Sequence, residues 1–377
     1  MKSRVLWLLL LILILEGCSE INKAKDLISN PSAREIYQRD LKINDQLFAI
    51  WETEKEKSLQ NDSIFIELPY HESGKFFPKS FSVYTYLIEL HRGDLLSVNI
   101  KQDSTSSLTF IDVFSMENST YKKIKSSDFR KPELQFEIEK DNLYKVVIQP
   151  EIDASSFFNI EIQRSPVYLF PVAGGKNRDA QSFWGAQRDG GKRSHEGIDI
   201  FASRGTPVIA TVDGRITSSG EKGLGGKQVW LRDTKRGQSL YYAHLDSVAP
   251  IKNYQVKAGD TLGFVGNTGN ARTTAPHLHF GIYRRYGGAI NPYYFIKQNE
   301  NKEPIDSSFL PKNQLAIVNN LANLRNSNSV KNSQIIQKLS TGDTIHILGK
   351  TLDWYHIKAS SSMNSSFLHS SLASPLN

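Results

Sequence analysis

Three features of the sequence predict a mainly β, multidomain chain. With 39% hydrophobic and 23% charged residues over 377 positions, the composition is globular, and the length exceeds what one hydrophobic core usually serves. Short apolar runs recur between turn-forming residues through 62–166 and again after residue 312. Of the 25 glycines, 20 lie between Pro171 and Gln298, as expected where many turns join short strands. The expected order is one N-terminal helix, a β-sandwich, a glycine-rich open β domain and a last small β unit. A single cysteine excludes a disulfide framework, thiolate zinc knuckles and a CxxC redox site.

The first 17 residues read as an export signal. Lys2 and Arg4 precede an unbroken apolar run of 11 residues, Val5 to Leu15. A membrane-spanning helix needs about 20, whereas the core of a secretory signal peptide is this short. Leu15-Glu16-Gly17-Cys18 follows and resembles a bacterial lipobox. That resemblance implies cleavage before Cys18, lipidation of its thiol and a mature protein anchored in the cell envelope, on the periplasmic side.

Residues 18–61 read as a tether ending in a packing helix. Ser32 followed three residues later by Glu35 forms a capping-box pattern, and Tyr37, Leu41, Phe48 and Trp51 give one helical stripe. Residues 62–166 hold seven strand-like runs: Ser63–Leu68, Val83–Leu90, Leu95–Ile100, Leu108–Phe114, Leu134–Ile138, Leu143–Ile148 and Phe157–Ile162. Leu134, Phe136 and Ile138 alternate with period two, and Asp141-Asn142 supplies a two-residue turn. That number of short strands predicts a β-sandwich, and the segment resembles the sandwich domains attached to secreted peptidases. His71 and His91 stand alone here and read as surface or packing residues.

The chemistry concentrates in 167–298, whose four histidines are His195, His244, His277 and His279. On a strand, residues two apart share a face. His277 and His279 therefore face one side while Leu278 and Phe280 face the other. A spacing of roughly 7 Å along a strand suits one metal ligand beside one acid–base group better than two ligands to one ion. By the same parity His195, Gly197 and Asp199 share a face opposite Ile198 and Ile200. A carboxylate set between isoleucines needs a partner, which a metal would supply. Tyr242-Ala243-His244-Leu245 puts another histidine on an apolar strand. One such histidine is usually a packing residue. Four in one domain, with an aspartate in register, point to a nitrogen–oxygen metal site suited to zinc with an open position. Competing motifs fail. Position 199 is Asp where H-E-x-x-H needs a histidine, Gln228 stands where a phosphate loop needs Ser or Thr, and there is no G-x-S-x-G.

These residues resemble the lysostaphin- and LytM-type zinc endopeptidases over about Phe170 to Phe295. The family's H-x-G-x-D is matched by His195, Gly197 and Asp199, its Y-x-H-L by Tyr242, His244 and Leu245, and its H-x-H by His277 and His279. Arg204-Gly205-Thr206-Pro207-Val208, Val256-Lys257-Ala258-Gly259-Asp260 and Gly266-Asn267-Thr268-Gly269-Asn270 are similar too. The resemblance implies one zinc held by His195, Asp199 and His279, with His277 and His244 as catalytic residues flanking the open position. One of the two would take the proton of the attacking water, and the other would assist the oxyanion or the leaving amine. It also implies hydrolysis of peptide bonds in peptidoglycan cross-links. Regulatory relatives that lost activity lack some of these residues, and this chain keeps them all. A non-catalytic, wall-binding activator of another wall hydrolase is the alternative function.

Residues 299–312 read as a linker. Beyond it, Ala322-Asn323-Leu324-Arg325, Gly342-Asp343-Thr344, Asp353-Trp354-Tyr355-His356 and His369-Ser370-Ser371-Leu372 make 313–374 resemble a bacterial SH3-like domain, which implies a small barrel with a wall-binding role. The formal charge of +7 raises the possibility of nucleic acid. Residues 171–298 alone carry +9, however, and the rest of the chain past residue 17 sums to −3. With an export signal, a local basic surface is expected to meet an anionic wall polymer and not nucleic acid.

Overall fold

A computed structural model of the chain describes residues 26, 29–61, 64–104, 107–250, 254–299, 314–359 and 364–376. The predicted export signal, Cys18 and nearly all of the predicted linker lie outside these residues. No helix among the described residues is long and apolar enough to cross a membrane.

Two N-terminal helices stand where the sequence stripe predicts one. Helix α1 (Ala33–Asp40) starts on the expected capping box: the Ser32 side chain accepts from the Glu35 amide, and the Glu35 carboxylate accepts from the Ser32 amide at 2.7 Å. The stripe then breaks. Lys42 takes a left-handed φ of +51°, and the Asn44 side chain accepts from the amides of Gln46 and Leu47, opening α2 (Asp45–Asn61). A local side-chain acceptor thus offers the backbone a fresh start where apolar spacing alone reads as continuous. Tyr37 and Trp51 pack on Phe110, Leu108 and Ile152.

Eight strands follow: β1 (Tyr70–Lys75), β2 (Tyr84–Leu90), β3 (Asp94–Gln102), β4 (Thr109–Glu117), β5 (Thr120–Ser126), β6 (Glu133–Glu137), β7 (Asn142–Pro150) and β8 (Phe157–Pro166). One sheet runs β2-β7-β4-β5, and the other contains β1-β8-β3-β6. Tyr86, Ile111, Val113 and Val146 from the first share a core with Val98, Ile100, Ile160 and Ile162 from the second. The run predicted over Ser63–Leu68 is not a strand across its described residues, 64–68. Ile64 and Ile66 are buried, but Phe65 makes only isolated bridges, to Leu87 and Ser327, and Pro69 has no N–H to extend a ladder. Two strands carry no apolar alternation. β5 is an exposed lysine-bearing edge, a usual defence against edge pairing, and β1 buries Glu72 instead of an apolar side chain.

The middle segment forms β9 (Ala180–Ser182), β10 (Gln187–Arg188), β11 (Arg193–Ser194), β12 (Ile198–Phe201), β13 (Pro207–Ile209), β14 (Gly214–Glu221), β15 (Lys227–Asp233), β16 (Gln238–Val248), β17 (Gln255–Val256), β18 (Thr261–Val265), β19 (His277–Arg284) and β20 (Gly288–Ile290), then a short helix α3 (Tyr293–Ile296). Its main sheet runs β17-β14-β15-β16-β19-β12-β9. Ile198, Ile200, Leu278, Phe280, Ile282 and Leu240 fill the core on one side of it.

The last strands are β21 (Leu315–Val318), β22 (Ala322–Arg325), β23 (Ile335–Leu339), β24 (Thr344–Thr351), β25 (Trp354–Ala359), β26 (Ser365–His369) and β27 (Ala373–Pro375). They have their own core around Leu324, Ile345 and Ile357. β24 also pairs antiparallel with β1, Ser73 opposite Lys350 and Gly74 opposite Gly349. The two ends of the chain thereby share one 11-stranded sheet. At the seam His356 Nδ1 lies 3.0 Å from Glu72 Oε1, and both residues are fully buried. The hydroxyls of Tyr70 and Tyr86 donate to Glu72 Oε2 at 2.5 and 2.9 Å. A Cβ on Gly349 would stand 2.2 Å from the Glu72 carboxylate, so only glycine admits it.

Candidate metal centre

The site is built on the pairing of β12 with β19. Their antiparallel register sets Asp199 opposite His279 and Phe201 opposite His277. Ile198, Ile200, Leu278 and Phe280, all fully buried, point to the core, so the parity of the strands delivers Asp199, His277 and His279 to the other face. His195 is not on a strand, contrary to the sequence expectation. It lies in the loop between β11 and β12, and Gly197 lets that loop close over His279. A Cβ at Gly197 would meet His279 Cε1 at 2.6 Å.

His195 Nε2, His279 Nδ1 and Asp199 Oδ1 form a triangle with sides of 3.1, 3.0 and 3.0 Å. His195 Nδ1 donates to the Phe183 carbonyl at 3.0 Å, so in the neutral ring Nε2 holds a lone pair. That lone pair faces the Asp199 oxygen, another acceptor. Two acceptors this close are reconciled by a proton on the ring or by a metal ion between them. A tetrahedral zinc with ligands at about 2.0–2.1 Å separates them by about 3.3 Å, close to what the triangle shows. The donor set therefore fits zinc. Among the described residues it is the His/Cys/Asp/Glu group placed to hold an ion.

The other carboxylate oxygen is held too. Arg188 Nη2 donates to Asp199 Oδ2 and to Ser182 Oγ, both at 2.6 Å. Burial alone would raise the Asp199 pKa, but the hydrogen bonds and positive charge that His195 and His279 supply when their rings are protonated win and hold it far below the usual carboxylate range. Burial lowers His279, against the pull of Asp199.

His277 and His244 complete the cleft. His277 Nδ1 donates to the Ala275 carbonyl at 2.8 Å, and His244 Nδ1 to the Thr268 carbonyl at 2.9 Å. Each neutral ring thus keeps its lone pair on Nε2. His277 Nε2 lies 4.0 Å from Asp199 Oδ1, and the His244 ring centroid stands 5.1 Å from that of His277 and 5.8 Å from that of His279. Burial, then the charges of His279 and His277, push His244 down to about 4, so it is neutral at pH 7. His244 occupies the point where β16 leaves β19 to pair with β18. Its φ of +62° is left-handed, a conformation that costs of order 1–3 kcal/mol outside glycine and clusters at functional sites.

All five side chains singled out in the sequence line one cleft of about 600 Å³. Sequence reasoning missed Arg188, Ser182 and an aromatic wall in which Tyr241 stacks on Trp230 at 4.4 Å and faces His279 at 5.8 Å. The wall had a signal, since Tyr241 and Tyr283 share strand parity with Ala243 and His279. Arg188 had none.

The model of Peptidase family M23 matches residues 193–292. The DD-carboxypeptidase/endopeptidase Mpg of Neisseria meningitidis serogroup B is 44% identical over 100 residues, covering 26% of this chain and 22% of that protein. The murein hydrolase activator NlpD of Escherichia coli K12 is 34% identical over 115 residues, 30% of this chain and 28% of its own length. Among solved structures, the catalytic domain of lysostaphin from Staphylococcus simulans is 31% identical, with a TM-score of 0.28, covering 31% of this chain and 91% of that domain. The match thus spans about a fifth of the Neisseria relative.

Proposed function

Because residues 193–292 are a domain of peptidase family M23, we propose that this chain is a zinc endopeptidase that hydrolyses peptide bonds in peptidoglycan cross-links. One observation carries the reading: three atoms able to ligate a metal converge within 3.1 Å of one another, on a cleft that two further imidazoles also line. A bound zinc would polarise a carbonyl and lower the pKa of water. The protein does the rest. The Phe183 carbonyl fixes the His195 tautomer, and Arg188 and Ser182 fix the Asp199 carboxylate, as outer partners do in metal sites. His277 and His244, with Nδ1 hydrogens pinned by carbonyls, offer Nε2 as proton acceptors. One takes the proton of the attacking water on Nε2, and the other acts on the leaving amine or the oxyanion once its own Nε2 has picked up a proton from solvent.

The test is zinc analysis of the purified chain together with digestion of sacculi. His279→Ala and His195→Ala should lose zinc and activity. His277→Ala should keep zinc and lose turnover by about 10²–10⁴, and a full rate in that variant would overturn the assignment. The NlpD likeness gives the second reading, a wall-bound activator without its own hydrolysis. In that case the chain alone would release no muropeptides but would stimulate a partner hydrolase.

Two terminal features extend the reading. Cys18 is the proposed lipid attachment in the cell envelope, supported by the apolar run and lipobox-like residues before it. Labelling with a radioactive fatty acid should disappear in Cys18→Ser. The C-terminal β unit is proposed as an SH3-like wall-binding module on the strength of its sequence phrases. Its removal should reduce retention on sacculi.

A further inference from the structure

A second cleft, of about 650 Å³, opens where the sandwich meets the M23 domain. It belongs to the other side of β19. His277, His279 and Tyr283 line the histidine cleft, whereas Arg284 follows the parity of Leu278, Phe280 and Ile282 and lines the second one.

Its charged groups come from two domains. The sandwich supplies Arg92, Glu137 and Glu139. The M23 side supplies Lys235, Arg236, Arg284 and Arg285. Part of this charge is already paired: Lys235 and Arg236 both donate to Glu137, and Arg236 also to Asp233. Arg92 and Arg284 are different. Arg92 Nε donates to the Glu139 carbonyl at 2.6 Å and the Arg92 amide to Asp141 Oδ1 at 2.8 Å, and among the described residues no ion pair reaches the Arg92 guanidinium. Arg284 Nε is buried and has no acceptor, a costly state for a donor. Burial, and then the nearby Arg92 charge, push the Arg284 guanidinium below its ordinary value. Glu139 is exposed, and among the described residues no ion pair joins it to either arginine.

We propose that this interdomain cleft binds a phosphate-type oxyanion, held between Arg92 of the sandwich and Arg284 at the end of β19. The Arg92 and Arg284 charges act against each other and the exposed Glu139 carboxylate only partly offsets them, and an anion between the two reverses the sign of that energy. A phosphate ester carries more charge and more acceptor oxygens than a carboxylate and suits two forks at once. The cleft is larger than a bare phosphate, so the oxyanion is expected on a larger molecule. Because Arg92 and Arg284 belong to different domains, binding would clamp the sandwich to the M23 domain. The proposal does not depend on the hydrolytic reading.

The test is calorimetric titration of the full chain with inorganic phosphate and with glycerol phosphate, at constant ionic strength in chloride. Co-sedimentation with vesicles of phosphatidylglycerol or phosphatidylcholine accompanies it. Saturable binding is expected, weakened at least about 10-fold, near 1.4 kcal/mol, by Arg92→Gln and by Arg284→Gln, and tightened by Glu139→Gln. If Arg284→Gln misfolds, the exposed-side pair Arg92→Gln and Glu139→Gln carries the test. Glycerol phosphate binding without vesicle binding points to a soluble or wall-borne ester. Phosphatidylglycerol vesicles held by the native chain and released by the variants point to a lipid headgroup. No saturable binding to any probe, or binding that both arginine variants retain, overturns the proposal.

Discussion

Gly197 shows how tightly single residues are specified around the triangle. Its missing side chain is the space His279 occupies: a Cβ would stand 2.6 Å from His279 Cε1 and 2.7 Å from the Phe280 carbonyl. Gly197→Ala is therefore expected to move His279 and to weaken zinc binding at least tenfold, read by competition with a chromophoric chelator. Arg188→Met should act on the other arm. Freed at Oδ2, Asp199 can rotate, and a loss of about 10–100-fold in zinc affinity is expected, as for other outer partners of metal ligands. How far such residues were legible depends on where their partners lie. Asp199, His277 and His279 could be read because a strand has a fixed period of two, which puts a polar residue among apolar ones on a definite face. His195 could be read only through its spacing from Gly197 and Asp199, since it sits in a loop and has no parity to obey. Arg188 reaches Asp199 across a turn that glycines shape, and no local pattern announces such a contact.

At the scale of elements, apolar alternation was a good guide wherever a strand buries one face. β3, with its alternating burial, is such a case, and so is β19. It failed where something other than apolar burial holds the strand. β1 is kept by a buried carboxylate with two tyrosine partners, and β5 by backbone pairing along an exposed edge. The N-terminal helices failed in the opposite sense, since the stripe was real but the Asn44 cap cut it in two. Trp51 anchors the pair: it is fully buried, its Nε1 donates to the Pro150 carbonyl at 2.8 Å, and the Arg34 guanidinium lies 4.4 Å over its ring. Trp51→Ala should cost about 3–5 kcal/mol. Hydrogen exchange should show α1 and α2 opening first, with amides of the M23 sheet unchanged.

For the whole molecule, the seam between β1 and β24 matters most. Burial, and the Glu72 charge after it, raise the hydroxyl pKa values of Tyr70 and Tyr86 far above ordinary, so both stay protonated and donate to the carboxylate. Removing one partner of a buried pair strands the other. His356→Leu is expected to destabilise the seam by about 3–5 kcal/mol in urea unfolding followed by Trp354 fluorescence. Adding Glu72→Met should restore part of that loss, because no lone carboxylate then stays buried, while the Tyr70 and Tyr86 hydroxyls, deprived of their acceptor, keep the recovery incomplete. No sequence pattern connects two residues so far apart along the chain. Equal stability of the single and double variants would show that the pair does not join the two units.

That seam also fixes how the M23 domain is connected. The sandwich and the C-terminal unit complete each other's sheet, so the M23 domain lies, in sequence, between two parts of one framework. Its two ends are neighbours: the Tyr168 amide donates to the Phe295 carbonyl at 2.9 Å, and the Asn299 side chain donates to the Arg164 carbonyl. The M23 domain is thus a guest whose entry and exit lie side by side. A chain in which a few glycines and serines join Ser165 to Asn299 should fold as a host without a guest, with the Glu72–His356 seam intact by urea unfolding. The same two points would then accept a different catalytic insert, delivered to the same place on the framework.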